Sequence, residues 1–340
     1  MAALPLAPAP VADPADAVIV AAGLTRRFGR GAAAITAVDG LDLAVSRGDI
    51  LGIVGPDGAG KTTTLRLLAA LMNPTAGHAV IFGHDSVRGA ARIKAHIGYV
   101  AQRFALYGDL TVRENALFYA DLFGVPHAER QERLERLLSA TDLLRFGERR
   151  AAHLSGGMQR KLALACVLIH TPELILLDEP TTGVDPVSRR EFWEILANLH
   201  LDGITLVIST PYMDEAEQCT RVALMMHGRL AVCDTPARIK AMVPGELVAV
   251  WPADMRRAQQ ALAGLEGIHE IQPYGDQLRI LGDDAAALMP RIRARLAEHG
   301  VALHDLRPGR VRMEEAFVSL TGAHPAAAPG NGDAPAVKEA

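Results

Sequence analysis

The sequence has few residues of the kinds that mark several common classes of protein. Its 340 residues include three cysteines, too few and too irregularly spaced for a disulfide framework or a metal cluster, which suits a reducing compartment. Lys and Arg number 35 against 39 Asp and Glu, so no basic excess points to nucleic acid as a principal partner. The longest unbroken apolar run, 162–169, is far short of the roughly 20 residues that span a bilayer. We therefore expect the chain not to cross a membrane by itself.

Both ends of the chain have the composition of disordered segments. Residues 1–17, "MAALPLAPAPVADPADA", are rich in Ala and Pro but have neither a basic start nor a continuous apolar core, so they do not form a convincing secretory signal. Residues 323–340, "AHPAAAPGNGDAPAVKEA", resemble a flexible tail. The sequence predicts a disordered lead-in and a disordered tail around a folded region.

Short apolar strands alternate with helical patterns between residues 18 and 235. "DILGIVG" is followed by a helix from Lys61, and "ELILLDE" is followed by a helix through "REFWEILANLH". This alternation favours an α/β domain with a largely parallel central sheet. Residues 103–153 differ because helical spacing dominates, as at Leu134, Leu137 and Leu138, and we interpret them as a mostly helical insert.

A second, smaller domain is predicted at residues 246–322, after a linker at 236–245. The strand and helix patterns there follow the order βαββαβ, which is that of a ferredoxin-like α+β unit. Gly275-Asp276, between two alternating runs, is a signal for a two-residue hairpin. Pro290 lies inside the second helical pattern, which predicts that this helix starts late or kinks.

A glycine-rich loop follows the apolar strand 50–54 and precedes a helix. "GPDGAGKTT" contains Gly55, four residues, then Gly60, Lys61 and Thr62. Glycines allow backbone N–H groups to surround a phosphate, the lysine reaches the terminal phosphates, and the threonine hydroxyl can bind Mg²⁺. Because the strand, the loop and the helix all occur in order, we interpret the segment as a phosphate-binding loop.

Two acidic residues end the buried strand "LILL". Doubly wound sheets bind ligands at the carboxyl ends of their strands, so Asp178 is predicted to lie beside the phosphate loop and to organise Mg²⁺. Glu179 is predicted to polarise a water for in-line attack on the terminal phosphate. Adjacent acids are usually a solvated surface pair, but four apolar residues immediately before them argue against that alternative.

The segment "LSGGMQRKLAL" is not explained by a single phosphate site. Ser155 is a natural N-cap, and Gly156 and Gly157 leave the first turn of the following helix bare. Its N–H groups and positive dipole end are then open to an anion. A merely well-capped helix is the alternative when the segment is taken alone.

Five motifs together, "GPDGAGKTT", "VAQRF", "LSGGM", "LILLDEP" and "TGVDP", resemble in order and spacing the nucleotide-binding subunits of ABC transporters. The resemblance covers residues 18–235. It implies a P-loop NTPase fold of the ABC type with a helical insert, ATP and Mg²⁺ as ligands, and ATPase activity. It also implies a head-to-tail dimer, homo- or heteromeric, that encloses two ATP molecules.

The resemblance assigns roles to individual residues. Phe28 of "LTRRFGR" would stack on adenine, Gln102 would join Mg²⁺ to the helical insert, and Asp185 would lie in the loop that crosses the dimer interface. The signature contacting ATP of the opposing subunit would be Ser155, Gly156, Gly157 and Met158. The metal would be held by Thr62, Gln102 and Asp178. The nucleotide contacts would be Phe28, Gly55, Pro56, Asp57, Gly58, Ala59, Gly60, Lys61, Thr62 and Thr63.

More narrowly, "AQRFALYGDLTVRENALFYADLFGV", "LSGGM" and "YMDEAE" resemble the ATPase subunits of bacterial drug-type exporters. Such a subunit works with a separately encoded integral-membrane permease, often accompanied by a periplasmic adaptor protein. The resemblance therefore implies a protein at the cytoplasmic face of the bacterial inner membrane, held there by the permease. Phe104, Leu106, Tyr107 and Leu110 would lie near that permease or pack inside the insert.

Pro211 departs from the family pattern, which has a histidine there that donates to the terminal phosphate. Proline has no polar side chain and no N–H, so it cannot take that role. It is equally consistent with a strand that simply ends. The site is then either an active ATPase in which Thr210, Tyr212 or a partner subunit replaces the imidazole, or a regulatory half-site with slow hydrolysis.

A soluble ABC protein acting on ribosomes or DNA is the remaining alternative. Such proteins normally have two nucleotide domains joined by a charged linker, or a long coiled-coil insert, and the sequence shows neither. The direction of transport and the transported substrate do not follow from the phosphate chemistry.

Overall fold

The computed structural model describes residues 16–31, 34–102 and 106–322. These residues divide into two compact units, 16–236 and 237–322. The predicted lead-in lies outside the described residues except for 16 and 17, and a strand already begins at Ala17. The predicted tail 323–340 lies outside them as well.

The strands of the first unit form two sheets. The smaller sheet is antiparallel and consists, in spatial order, of β2 (Ile35–Ser46), β1 (Ala17–Phe28), β4 (Ala76–Ile81) and β5 (His84–Asp85). The larger consists, in spatial order, of β10 (Arg229–Asp234), β9 (Arg221–Met226), β3 (Ile50–Val54), β8 (Thr205–Thr210), β7 (Leu174–Asp178) and β6 (Ile97–Val100). All its pairings are parallel except that of β9 with β10. The prediction of a largely parallel central sheet is confirmed.

Every residue of β3, β7 and β8 is buried. Strands buried on both faces have continuous apolar sequences, which is the pattern of "ILGIV" and "LILL". The parallel order directs the carboxyl ends of β3, β6, β7 and β8 to one edge of the sheet, where the phosphate loop, Gln102, Asp178, Glu179 and Pro211 lie. Phe28 and the signature residues 155–158 lie on other segments.

The helices of the first unit are α1 (Lys61–Leu68), α2 (Ala90–His96), α3 (Val112–Leu122), α4 (His127–Ala140), α5 (Gly156–Leu168), α6 (Pro186–Leu201) and the single turn α7 (Met213–Ala216). Residues 106–153 contain α3, α4 and two 3₁₀ turns. They have a core of their own, in which Val112 and Leu138 pack with Leu162 and Cys166 of α5. All helices in the described ranges fall short of the length and apolar character needed to cross a membrane.

The second unit contains the element order βαββαβ. The elements are α8 (Pro236–Ala241, beginning at the unit boundary), β11 (Glu246–Pro252), α9 (Met255–Leu262), β12 (Ile268–Tyr274), β13 (Gln277–Gly282), α10 (Ala285–Glu298), β14 (Leu303–Gly309) and α11 (Met313–Thr321). The strands form an antiparallel sheet in the order β12–β13–β11–β14. Sequential order and pairing are those of a split βαβ arrangement, with α11 added at the end.

The second unit forms the predicted hairpin, whereas its linker and its second helix differ from the sequence predictions. Tyr274 pairs with Gln277, so Gly275 and Asp276 form the two-residue hairpin that the sequence predicts. The expected linker 236–245 contains helix α8. A late start of the second helix is wrong, because α10 begins at Ala285 and runs through Pro290. A kink at Pro290 stays a prediction, since an interior proline removes a backbone hydrogen bond and its ring clashes with the preceding turn.

Candidate active site

The loop between β3 and α1 is shaped by its glycines. Gly58 and Gly60 have φ angles of 79° and 102°, in the region that side chains disfavour. A Cβ atom on Gly60 would lie 2.3 Å from the carbonyl oxygen of Ala37, and one on Gly55 would lie 2.3 Å from that of Met225. These contacts allow only glycine at either position. The loop is therefore a fixed ring of backbone at the carboxyl end of β3, as a phosphate cradle requires.

Lys61 begins α1 and is only 3% exposed. Its ammonium Nζ donates to the carbonyl oxygens of Gly55 at 2.9 Å and Pro56 at 3.1 Å. The same Nζ lies 3.2 Å from Glu179 Oε1, a contact between two side chains that are both nearly buried. A buried ammonium group held against the backbone of the loop provides the positive charge that a polyphosphate needs.

Asp178 is fully buried at the end of β7 and accepts three hydrogen bonds. The hydroxyls of Thr62 and Ser209 donate to Oδ1 at 2.9 and 2.8 Å, and that of Tyr99 donates to Oδ2 at 3.3 Å. Burial first, and then the Asp178 carboxylate, raise the pKa of Tyr99, so this phenol stays a neutral donor. The structure thus brings together Thr62 and Asp178, two of the three predicted metal ligands.

The oxygen atoms of Thr62 and Asp178 fit a magnesium ion. Mg²⁺ prefers oxygen ligands and is usually bound through one or two carboxylates together with substrate phosphates. Among residues 16–31, 34–102 and 106–322, no three His, Cys, Asp or Glu side chains form a group that could hold a metal alone. The candidate magnesium ligands that the structure brings together are thus the Thr62 hydroxyl and the Asp178 carboxylate.

Glu179 has an unusual backbone conformation and is only 7% exposed. Its φ angle is 47°, a left-handed value that is uncommon for residues other than glycine. Its N–H donates to the hydroxyl of Ser209 at 2.9 Å, and its Oε2 accepts from Gln102 Nε2 at 2.9 Å. Gln102, predicted as a metal ligand, thus lies against the carboxylate predicted to activate water.

The signature helix α5 begins as the sequence predicts. Ser155 is its N-cap, and the Ser155 hydroxyl accepts from the N–H of Met158 at 3.3 Å. A Cβ atom on Gly156 would meet nothing within 4 Å, so this first turn is open on one side. A Cβ on Gly157 would lie 2.7 Å from the hydroxyl oxygen of Ser188, so this glycine also allows close packing against α6.

Arg160, one turn further along α5, is a residue that sequence reasoning missed. Its guanidinium donates to the carbonyl oxygens of Glu179, at 3.3 Å, and of Pro180 and Thr182. Burial lowers the pKa of Arg160 from its ordinary value. Hydrogen bonds from Arg160 thus connect the signature helix to the backbone that carries Glu179. No motif spacing in the sequence predicts this connection.

Two further predicted residues lie at the ends of elements. Asp185 is the N-cap of α6 and accepts from the N–H groups of Val187 at 3.1 Å and Ser188 at 2.9 Å. These backbone hydrogen bonds lower the pKa of Asp185. Phe28 ends β1 with 38% of its surface exposed, and the Arg26 guanidinium lies 4.8 Å from the centre of its ring.

Pro211 directly follows the last residue of β8, so the strand ends at this proline. The hydroxyl of Thr210 donates to Glu215 Oε2 at 2.6 Å and accepts from the N–H of Tyr212 at 3.0 Å. The ring of Tyr212 lies under the guanidinium of Arg189, 4.8 Å from the ring centre. The hydroxyl of Thr210 is thus bound to Glu215, whereas the contact of Tyr212 with Arg189 involves the ring and not the hydroxyl.

Comparison with known proteins gives relatives in one family. The model of the ABC transporter family matches residues 38–182. The Daunorubicin resistance ATP-binding protein DrrA3 of Streptomyces coeruleorubidus is 36% identical over 315 residues, covering 91% of this chain and 97% of the relative. The Doxorubicin resistance ATP-binding protein DrrA of Mycobacterium tuberculosis is 30% identical over 313 residues, covering 90% and 94%.

Another relative is longer than this chain. The Probable multidrug ABC transporter ATP-binding protein YbhF of Escherichia coli is 40% identical over 228 residues, which are 67% of this chain but only 39% of YbhF. Among solved structures, cbiO1 from Clostridium perfringens has a TM-score of 0.61 at 26% identity, covering 67% of this chain and 92% of that one. A dimeric ATP-binding cassette bound to ADP and Pi has a TM-score of 0.59 at 27% identity, covering 64% and 98%.

The chain belongs to the ABC transporter family and is one of its ATP-binding proteins. The family and the ABC-type P-loop fold predicted from the five motifs are confirmed. Residues 1–236 are about two thirds of the chain, whereas the match to DrrA3 covers 91% of it, so this similarity extends into the second unit.

Proposed function

We propose that this protein binds ATP with Mg²⁺ and hydrolyses it to power export of a drug-like or other small molecule through a membrane permease. The observation that carries the proposal is the cluster in which Lys61 meets Glu179 and Thr62 meets Asp178. The phosphate loop, an acid suited to a metal and a candidate base are thus assembled at one edge of the parallel sheet, where such folds bind ligands.

Each residue in this cluster has a proposed role. The loop and Lys61 bind the phosphates and neutralise their charge, while Thr62 and Asp178 hold the magnesium ion. When bound, that ion neutralises charge on the phosphate oxygens. Glu179 accepts a proton from the attacking water, and the hydrogen bond from Gln102 orients its carboxylate.

Two surfaces suit a second nucleotide domain. The open first turn of α5 at Ser155 and Gly156, and the N-terminal turn of α6 at Asp185, present backbone N–H groups and polar side chains. We propose that this signature contacts the ATP of an opposing subunit. Support comes from the related cassette, which is a dimer bound to ADP and Pi.

An aromatic patch on the helical insert is proposed to contact the permease. Tyr107 is 50% exposed, Leu122 is 64% exposed, and Phe118 and Phe123 are partly exposed beside them. The rings of Tyr107 and Phe118 pack edge to face, 4.7 Å between centres. Aromatic residues are enriched at the centres of protein interfaces. Among the residues expected there from the sequence, Leu106 packs against the core of the insert and Phe104 lies outside the described residues.

The names of the relatives support export as the process. They are called daunorubicin resistance, doxorubicin resistance and probable multidrug ABC transporter ATP-binding proteins, which disfavours a protein acting on ribosomes or DNA. We propose that this chain is held at the cytoplasmic face of the inner membrane by the permease. An accompanying periplasmic adaptor protein is a further proposal, which rests on the sequence resemblance.

The test is an ATPase measurement on the purified complex with its permease. Glu179→Gln should abolish phosphate release and trap an ATP-bound dimer, whereas Glu194→Gln, on the exposed face of α6, should leave turnover unchanged. Unchanged phosphate release in Glu179→Gln would show that this carboxylate is not the base. Location is tested separately: the chain should enter the membrane fraction only when the permease is co-expressed, and co-sedimentation with ribosomes in its absence would contradict export.

A regulatory half-site with slow hydrolysis is the second candidate, and Pro211 favours it. Pro211 has no donor, and the hydroxyl of Thr210 already donates to Glu215. In that case the chain would pair with a second, faster ATPase, and the purified chain alone would bind ATP with little turnover.

A further inference from the structure

A buried glutamate outside the predicted site joins three of its segments. Glu215 lies on the single turn α7 and is fully buried. Its Oε1 accepts from the hydroxyl of Thr181, and its Oε2 accepts from that of Thr210, each at 2.6 Å. The Nε atom of Arg189 lies 3.5 Å from Oε1. Both oxygens of a fully buried carboxylate are therefore bound by side chains from other elements.

These contacts are strong for their type. Hydrogen bonds from hydroxyls to carboxylates that are charge-assisted measure about 2.5–2.7 Å, and both contacts to Glu215 fall in this range. Thr181 and Thr210 are themselves 1% and 0% exposed. Away from water, such bonds hold the groups that they join in fixed positions.

The three partners belong to the segments on which the reaction depends. Thr181 follows Glu179 by two residues, Thr210 immediately precedes Pro211, and Arg189 follows the N-cap Asp185 on the first turns of α6. Arg189 also pairs with Asp214. One carboxylate therefore fixes the base loop, the end of β8 and the start of α6 relative to one another.

We propose that Glu215 is a positioning residue for Glu179. The backbone at Glu179 is left-handed, and such conformations persist only where the surroundings impose them. Ser209 and Arg160 hold this backbone from two sides, and the Thr181–Glu215–Thr210 bridge anchors the loop that follows it to the end of β8. The bridge aims the Glu179 carboxylate and does not touch the nucleotide.

The inference rests on the proposed ATPase function and predicts a specific kinetic pattern. Thr181→Val and Thr210→Val each remove one hydroxyl while keeping the shape of the side chain. Each should lower kcat by about tenfold, since small displacements of reacting groups are costly. KM for ATP should stay within about twofold, since the phosphate loop is untouched. Thr181→Ser and Thr210→Ser, which restore the hydroxyl, should recover most of the turnover.

Thr205→Val is the matched control. Thr205 begins the same strand β8, is also fully buried, and its hydroxyl accepts from the N–H of Gly48 at 3.0 Å. Thr205→Val therefore loses a comparable hydrogen bond, but at the end of β8 that is remote from Glu179. The control should keep its kcat even where its melting temperature falls as much as that of Thr210→Val.

The outcomes separate this inference from the proposed function. Wild-type protein without any ATP turnover would contradict the proposed function. Active wild type, with kcat of Thr181→Val and Thr210→Val equal to that of Thr205→Val, would overturn the role of Glu215 and leave the ATPase intact. If the folded variants kept their kcat and lost affinity for ATP, measured by titration, the proposed role of Glu215 would be overturned as well.

Discussion

The Thr62 hydroxyl donates a hydrogen bond of 2.9 Å to Asp178 Oδ1, which joins the first turn of α1 to the carboxyl end of β7. The two residues are 116 positions apart in the sequence. The parallel sheet brings them together because β3, which leads into the phosphate loop, and β7 both pair with β8. Two oxygen atoms of different elements thus form one side of the candidate magnesium site.

Removing this pair should weaken the dependence on magnesium. Thr62→Ala and Asp178→Asn are expected to raise the Mg²⁺ concentration for half-maximal ATPase by about tenfold or more, since supporting and direct ligands have effects of that size. Mg²⁺-dependent thermal stabilisation of the ATP-bound protein provides a second readout. Thr171→Ala, whose hydroxyl donates to the carbonyl of His170, is the control. An unchanged Mg²⁺ requirement in both site variants would show that the metal binds elsewhere.

Lys61→Ala should lose nucleotide binding. The ammonium is nearly buried against the loop carbonyls and Glu179, so its removal deletes charged hydrogen bonds to the phosphates. A hydrogen bond to a charged group contributes about 1.5–3 kcal/mol, which corresponds to roughly ten- to hundredfold in affinity. Calorimetric titration with ATP measures the loss, with Lys94→Ala on the exposed side of α2 as the control. Persistent affinity would count against the loop assignment.

Pro211→His should raise turnover several-fold if a missing donor limits the reaction. Single donors to developing charge contribute about 10²–10³ in rate in other enzymes, although only part of this is expected from a residue introduced alone. The Thr210–Glu215 hydrogen bond does not involve residue 211 and can remain. Steady-state kcat at saturating ATP is the measurement. No change would mean that another group already fills this role.

The three cysteines should not react in the folded protein. Cys166, Cys219 and Cys233 are buried free thiols, and burial raises the pKa of each, that of Cys219 to about 12. Because the thiolate is the reactive form, a raised pKa leaves little of it at pH 8. A chromogenic thiol reagent should detect no thiol in native protein and three in denaturant. Rapid native reaction of even one thiol would contradict the burial.

Removing one partner of the buried ion pair of the second unit should cost more stability than replacing both. Arg279 and Glu315 are in contact, each with a side chain 5% exposed. Glu315→Ala should cost about 3–5 kcal/mol of unfolding free energy, since it leaves a buried charge unpaired, whereas Arg279→Met combined with Glu315→Leu should recover most of it. In a Trp193→Phe background, fluorescence of Trp251 reports on this unit alone. Equal stability of the single and double variants would contradict the prediction.

Much of the first unit could be predicted because its signals are local. The phosphate loop has a defined spacing beside an apolar strand, Ser155 precedes a pair of glycines, and Asp178 ends a continuous apolar run. Each signal lies within one segment of about ten residues. Parallel packing of buried strands then determines where the segments meet.

The contacts between segments could not be predicted from spacing. Arg160 lies within the signature segment, but only the packing of α5 shows which carbonyl oxygens its guanidinium reaches. The hydrogen bond from Ser209 to Asp178 depends on the pairing of β7 with β8. The hydrogen bond from Thr181 to Glu215 depends on the turn after Pro211. The amide of Gln102 is directed to Glu179, although the resemblance assigns it to the metal. Side-chain partners of this kind depend on tertiary geometry.

Glu179 combines a backbone cost and a side-chain gain at a single position. A residue other than glycine costs about 1–2 kcal/mol in the left-handed conformation. The Glu179 carboxylate, in turn, lies 3.2 Å from the nearly buried ammonium of Lys61, and removing one partner of a buried ion pair costs about 3–5 kcal/mol. Glycine at residue 179 should therefore lower the stability of the folded chain as well as delete the proposed base, so a screen of random variants for stability alone should retain the glutamate.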